Sequence, residues 1–553
     1  MSKFFYITTP IYYPSAKPHM GHAYSSIVAD FFARFKRIQG YNVLFLTGTD
    51  EHGQKIQRAA EKKGMDPKTF CDEISKTFFD LSKTLNLSND DFIRTTELRH
   101  KKSVEYLWNI LEKKNEIYLS KYSGWYSVSD EAFYSEEEIE TKDNKKISKL
   151  SGSPVEWVEE ESFFFKLSKW QKPLLKFYND NPDFILPESR KNEVISFVKG
   201  GLKDLSVSRK SFSWGIKVPS SKDHVIYVWL DALTNYISAL NYPNTNDKLY
   251  KSYWPATVHL IGKDILRFHA VYWPAFLLAA DIEPPKRVYG HGWILSGEEK
   301  MSKSKGNILD PIEIVETYGL DPLRYYLIKE VSFGNDGNIS KEKLENCINS
   351  DLANNYGNLC QRVISFIEKN LDLRVPNIYT LINEDNNVLK IYNESFNKLI
   401  DAIDSQNVNF YVNFIQEQLF SANKYFNDQE PWNKKDDAVR LNTILYVSLE
   451  LIRKISILLY PIIPNSSLKA LKIFNINEDQ IDFNSIKLHE NIKKNDKLNK
   501  ISIVNVKPYN LHRIKALTNI QLLEASTNHL DDVVRISDDT NRKSGRIQSE
   551  HNQ

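Results

Sequence analysis

Cysteine is scarce: Cys71, Cys347 and Cys360 are the only three in 553 residues. They are too few and too scattered for a disulfide framework, which fits a reducing cytosol. Net charge is nearly absent, since 73 basic and 71 acidic residues leave +2. Bulk charge therefore does not announce a nucleic-acid partner, and local basic surface would have to hold one. None of the 20 glycines opens a G-x-x-x-x-G-K-[ST] loop or a G-x-G-x-x-G fingerprint. A Walker-type NTPase and a dinucleotide-binding motif are both unsupported. The start, Met1–Ser2–Lys3–Phe4, has no signal-peptide h-region. The most apolar later stretch, Ile444 to Ile463, carries Glu450, Arg453 and Lys454, so it reads as a buried helix and not a membrane span. A cytoplasmic protein without membrane contact is the expectation. No internal repeat is present. What the chain does have is 41% hydrophobic and 12% aromatic residues, enough for real cores. Its length predicts three or four domains.

The stretch Phe4 to Gly40 organises the rest. An apolar strand, Phe4–Phe5–Tyr6–Ile7, leads through a Pro-rich turn to His19–Met20–Gly21–His22, which opens a helix running from Ala23 to about Gln39. Ala23, Ile27, Phe31, Phe35 and Ile38 recur at three- and four-residue spacing and share one face. Two histidines are thus held at a helix start, where unpaired backbone N–H groups and the helix dipole attract phosphate. Imidazoles there add hydrogen-bond donors. On four residues alone, a pair of surface histidines is the favoured reading of the pattern.

Val43 to Leu46 is a second strand, followed by Gly48–Thr49–Asp50–Glu51–His52–Gly53 and a further helix. This β-α-β-α rhythm predicts a doubly wound parallel sheet of the Rossmann-like kind, with ligands at the carboxyl ends of its strands. Residues 1–116 form its first half. Residues 117–222 read as an inserted connective domain: Gly124 to Asp130 alternates like a strand, Glu136 to Lys149 is a charged hairpin tip or loop, and Trp157 and Phe163–Phe164–Phe165 resume packing. The α/β pattern returns over 223–340, with apolar runs at Val225 to Leu230, Val258 to Ile261 and Val288–Tyr289. Trp229, Tyr236, Phe268 and Trp273 cluster beside them, as core or as an apolar pocket. Lys300–Met301–Ser302–Lys303–Ser304–Lys305–Gly306–Asn307 is a basic loop: a solvated charge run, or an anion clamp. From 341 to 515 the patterns are helical, notably Lys341 to Lys369, Asn386 to Asn427 and Asp436 to Leu459. The last 38 residues, 516–553, lack aromatics and are expected to be a largely disordered tail.

An early His-Met-Gly-His and a late Lys-Met-Ser-Lys-Ser on a split parallel sheet form a specific pair. With them go Thr8–Thr9–Pro10–Ile11–Tyr12–Tyr13, Gly48 to Gly53, Tyr227–Val228–Trp229–Leu230–Asp231–Ala232, Ile261–Gly262–Lys263–Asp264 with Phe268–His269 and Trp273–Pro274. On these six stretches the sequence resembles the class I aminoacyl-tRNA synthetases, and among them the methionyl-tRNA synthetases, over Lys3 to about Lys515.

The resemblance implies an ATP-dependent ligase that activates L-methionine to methionyl-adenylate, releases pyrophosphate, and passes methionine to the 3′ end of elongator and initiator tRNA(Met). It implies ATP, with Mg²⁺, over His19, Gly21, His22, Gly262, Lys263, Asp264, Lys300, Lys303 and Ser304. Among these, His19, His22, Lys300 and Lys303 would do the catalytic work by positioning and charge stabilisation. It implies a methionine pocket of Ile11, Tyr13, Trp229, Ala232, Leu233, Tyr236, Phe268, His269 and Trp273, with Asp50 taking the ammonium. Leu233 stands where some relatives carry proline. Such a pocket discriminates a methylene by ~1–3 kcal/mol, so homocysteine is an expected competitor. The helical region resembles an anticodon-binding bundle, with Asn358, Arg362 and Trp432 at the reading positions. A monomer is expected, because the tail is too short for the tRNA-binding domain through which some relatives dimerise.

Many members of the family carry a zinc knuckle in the insertion. Here no His or Cys lies between His100 and His224, and structural zinc needs such ligands, so no zinc is expected. Three rival readings are weaker. Another class I synthetase, for leucine, isoleucine, valine or cysteine, lacks support from a large editing insertion. A small nucleotidyltransferase has no use for the helical region. A non-catalytic tRNA-binding descendant would not need intact His19, His22, Lys300 and Lys303.

Overall fold

The computed structural model describes residues 3–130, 132–142, 145–296, 299–300 and 309–499. Eight strands matter here: β1 (Phe4–Tyr12), β2 (Asn42–Thr49), β3 (Asp91–Arg94), β4 (Ile117–Ser127), β5 (Glu156–Phe165), β6 (Ile185–Leu186), β7 (Val258–Gly262) and β8 (Val288–His291). Six of them make one sheet in the order β3-β2-β1-β7-β8-β6. Every pairing within it is parallel. Strands buried on both faces read as continuous apolar runs, and β1 is buried at seven of its nine positions. Its register against β2 shifts between Thr8 and Ile11, where Pro10 has no N–H to give the ladder. In β2, Gly48 permits the approach of β3, since a Cβ there would meet the Ile93 carbonyl oxygen at 2.0 Å.

The helices that position the site are α1 (Met20–Ile38), α2 (Gln54–Lys62) and α3 (Val228–Leu233). The last is a correction. The apolar run Val225 to Leu230 looks like one strand, but Ser221–Ile226 is a strand of a small antiparallel sheet and the chain then turns into α3. A short fully buried run carries no period with which to tell strand from helix.

The stretch 117–222 is built on β4 and β5, paired antiparallel from Ile117↔Phe165 to Tyr126↔Glu156. Its charged run forms a hairpin of Ile139–Lys142 against Lys145–Ser148. It also supplies β6, which pairs with β8 at the edge of the main sheet. One cluster of buried side chains, including Tyr6, Trp108, Phe165, Tyr178 and Trp273, packs sheet and insertion together.

The chain divides into two compact units. The first gathers residues 1–316, 327–339 and 405–409; the second gathers 317–326, 340–404 and the described residues from 410 to 499. The second unit is helical among its described residues. Lys341–Cys347, a wider π-type stretch Ile348–Gly357, and α4 (Asn358–Leu371) follow without a break. The pattern Asn386 to Asn427 resolves into Asn383–Glu394, Phe396–Asp404 and α5 (Val408–Asp428), with Gln406 at φ 56° in the second interruption. Then comes α6 (Ala438–Leu459), whose Glu450, Arg453 and Lys454 are fully buried, and after it the shorter helix Pro464–Ile473. Arg453 Nε donates to Glu450 Oε2 at 2.9 Å, and Lys454 Nζ to the Ile486 carbonyl at 2.5 Å and to that of Leu488. No helix among the described residues is long and apolar enough to cross a membrane. The tail 516–553 lies outside the described residues.

Candidate active site

The site begins at the start of α1. His19 is the N-cap, and its Nδ1 accepts from the Gly21 N–H at 3.1 Å. The His19 N–H in turn donates to His22 Nδ1 at 3.0 Å. The two rings stack at 3.7 Å, 28° from parallel. Both Nδ1 atoms accept from backbone amides, so each neutral imidazole carries its proton on Nε2. Burial, then the neighbouring His19 and Lys55, holds the His22 pKa well below its ordinary value, so that ring is neutral at pH 7. The helix start is thus capped by two imidazoles.

The loop after β2 supplies Asp50, which is buried and faces the same cavity. Its neighbours are locked. Arg94 holds Glu51 by two bonds, of 2.5 and 3.0 Å, and Thr49, Ser75 and Thr96 also donate to it. Burial alone would raise the Glu51 pKa, but these donors hold it below the usual value. His52 Nδ1 lies 2.7 Å from one oxygen of Asp231, and His100 Nε2 lies 2.7 Å from the other. All three groups are buried. Against the cost of burial, His52 and His100 pull the Asp231 pKa down to about 2. A carboxylate on α3 is thereby fixed to the loop that carries Asp50.

The apolar end of the cavity is lined by Ile11, Tyr13, Trp229, Ala232, Leu233, Tyr236 and His269. His269 sits in a π-type turn, Phe268–Tyr272, a form that recurs at functional sites. Its Nδ1–H donates to the Ile265 carbonyl at 3.0 Å, so its Nε2 accepts from the Tyr236 hydroxyl at 2.7 Å. Burial lowers the His269 pKa to about 4. Phe268 and Trp273, both expected in the pocket, do not line the cavity. Phe268 stacks on Trp229 at 3.7 Å and 11°, and Trp273 is wholly buried 6.2 Å from Tyr236.

The polar end is lined by His19, Gly21, His22, Gly262 and Asp264, all expected, and by Ser25, Lys55, His291, Gly292, Trp293 and Asp310. The whole encloses about 620 Å³. Ser25 and His291 meet at 2.7 Å. Gly292 passes so close to Asn335 that a Cβ would lie 2.1 Å from its backbone. Lys263 departs from expectation: it pairs with Asp336 at 2.7 Å, lies 4.0 Å over the Trp293 ring, and does not line the cavity. The backbone of Lys300 pairs with Leu295; Lys303 and Ser304 lie outside the described residues. Asn235, like Ser25, Lys55, His291 and Trp293, escaped the sequence reading. Its only signal was a place beside Tyr236.

In the second unit, Arg362 Nη2 donates to Asn427 Oδ1 at 2.7 Å and its guanidinium lies 5.2 Å from the Phe426 ring. Trp432 meets the same Phe426 edge-on at 6.1 Å. Asn358 is exposed one turn before Arg362. Among the described residues no group of three His, Cys, Asp or Glu side chains is arranged to hold a metal ion.

Comparison with known proteins gives consistent findings. Residues 5–145 and 142–364 match the family model described as tRNA synthetases class I (M). The chain is 49% identical over 480 residues to the methionine–tRNA ligase of Brucella suis biovar 1, covering 87% of this chain and 93% of that protein. It is 50% identical over 489 residues to the methionine–tRNA ligase of Rickettsia conorii, covering 87% and 94%. Among solved structures it superposes on Mycobacterium tuberculosis methionyl-tRNA synthetase in complex with methionyl-adenylate with a TM-score of 0.89 and 45% identity, over 91% of this chain and 99% of that one.

Proposed function

The chain belongs to the class I tRNA synthetases of the methionine group, and from that premise we propose how its cavity divides the work of an enzyme that activates methionine with ATP and charges tRNA with it. The observation that carries the reading is one cavity with an apolar, aromatic end and an end built on a histidine-capped helix start.

Methionine's side chain lies among Ile11, Trp229, Ala232, Leu233 and Tyr236, with its ammonium on Asp50 and its carboxylate towards α1. Tyr236 and His269 form a neutral pair, suited to an uncharged thioether. ATP lies over the start of α1, its phosphates taking hydrogen bonds from His19 and His22 Nε2–H. The carboxylate oxygen attacks the α-phosphorus, the bond from that phosphorus to the bridging oxygen breaks, and pyrophosphate leaves with the electron pair. Lys300 and Lys303 neutralise charge that grows on the phosphates, Ser304 donates a hydrogen bond to them, and Mg²⁺ enters with ATP as part of that substrate. Such stabilisation acts on the transition state. A ribose hydroxyl of the tRNA then attacks the adenylate carbonyl and AMP departs. Lys263 is a positioning residue in this scheme, holding Trp293 at the cavity wall.

Asn358, Arg362 and Trp432 read the anticodon. Residues 117–222 form the connective part, hold no zinc, and the enzyme works as a cytoplasmic monomer. Methionine-dependent ATP–pyrophosphate exchange, run with a panel of amino acids, tests the reading. Exchange with methionine at least a hundredfold above leucine, valine and cysteine is expected. Equal exchange with another amino acid, or none with any, would reverse it.

A further inference from the structure

Helix α5 shows a regular solvent stripe at Asn413, Glu417, Phe420, Lys424 and Asn427. Four of these are polar, as a solvated face should be. Phe420 is not, yet at 69% it is the most exposed of the large apolar side chains among the described residues. A single exposed apolar residue is ordinary; its surroundings are what set this one apart.

The neighbouring helix runs beside α5 in the same direction. Asn423 Nδ2 donates to Asn355 Oδ1 at 2.6 Å, and four residues on Asn427 accepts from Arg362. The outer edge of that helix is almost wholly amide: Asn354, Asn358 and Gln361, with Arg362. Amides and a guanidinium are the groups that read base edges in single-stranded RNA, and aromatic rings are the platforms on which such bases stack. One aromatic, Trp432, closes this seam at the Phe426–Asn427 end. Phe420 stands two turns away on the same stripe. Seven residues of helix span about 10.5 Å, which matches about three bases at a spacing of ~3.4 Å.

From this juxtaposition we infer that Phe420 is a second stacking platform of the tRNA-reading face, so that unstacked loop bases lie along the amide seam between Phe420 and Trp432. The inference rests on the reading of Arg362 and Trp432 given above. Lys424 on the same stripe, paired at the surface with Asp428, and the exposed Lys434 and Lys435 that follow Trp432 in the chain suit a phosphodiester backbone. A protein partner would find little apolar area around one ring and a face of amides.

The test uses full-length protein and unmodified tRNA(Met) transcript. Phe420→Ala should lower kcat/KM for tRNA charging by roughly ten- to a hundredfold, the worth of one stacked base. Phe420→Trp should restore it to within a few-fold, since any large π-face serves. Because the side chain is exposed, the melt should hold, and methionine-dependent pyrophosphate exchange, which involves no tRNA, reports an intact catalytic unit. Three results overturn the inference. If Phe420→Ala charges normally while Trp432→Ala does not, Phe420 fails and the reading of Trp432 stands. If both charge normally, the anticodon reading itself fails. If charging is normal and Phe420→Ala instead changes self-association by light scattering, the ring is a protein contact.

Discussion

At the scale of single residues, the site turns on which groups are neutral. The structure gives His269 a hydrogen-bonded pair with Tyr236 and a pKa near 4, lowered by burial. A histidine with a depressed pKa stays neutral until the pH falls to that value. The KM for methionine in pyrophosphate exchange should therefore stay flat between pH 8 and about 5.5. A rise with a midpoint near the ordinary ~6.5 of histidine would show that the pair titrates and is not the neutral wall described. Residue positions were legible in the sequence where they depend on neighbours along the chain. His19 and His22 could be placed because a strand, a turn and a helix start are local features. Lys263 could not, because Asp336, which takes its charge, is 73 positions away.

At the scale of elements, α3 is held to the loop after β2 by Asp231 between His52 and His100. Removing one partner of a buried charged cluster costs ~3–5 kcal/mol. Asp231→Ala should lower the melting temperature by several degrees and raise the KM for methionine, since α3 carries Trp229, Ala232 and Leu233. An unchanged melt with an unchanged KM would deny the clamp. In α6, burial and the Arg453 charge lower the Lys454 pKa from 10.5 to about 7. The folded chain releases this proton above about pH 7, whereas the unfolded chain keeps it until ~10.4. Between those values the unfolded state binds more protons, so stability rises with pH. The melting temperature should climb from pH 7 to 9, and Lys454→Met should flatten part of that climb. Parallel slopes for the two proteins would show that Lys454 contributes nothing to it. The sheet's central strands were readable as apolar runs ending in polar turns. The two-residue β6 was not, because pairing with β8 alone makes it a strand.

At the scale of the whole molecule, metal content is the simplest measurement. Ten residues of β4 pair with ten of β5, a ladder that would hold the stretch 117–222 together without a metal. After dialysis, atomic emission should find far less than one zinc per chain. Stoichiometric zinc, lost with activity on chelation, would reverse the assignment. Organisation into a parallel sheet and a helical region was legible because the hydrophobic period changes from one to the other. The cavity was legible as a set of strand ends, but not its depth. That Trp273 is sealed in the core and Trp293 faces the cavity depends on packing that no local pattern encodes.

The middle of the sheet joins parts of the first unit that lie far apart in the chain. Thr8 on β1 bonds His259 on β7 across 251 positions. A ribosome adds ~5–20 residues per second, so β1 leaves the exit tunnel roughly ten seconds to a minute before its partner is made. Through that interval the nascent chain carries an apolar strand with an open row of backbone donors and acceptors, the kind of edge that recruits other strands. Translation speed and the factors that shelter emerging chains thus act on this protein before it has a cavity to fill, and a pause in synthesis before residue 259 lengthens the exposure.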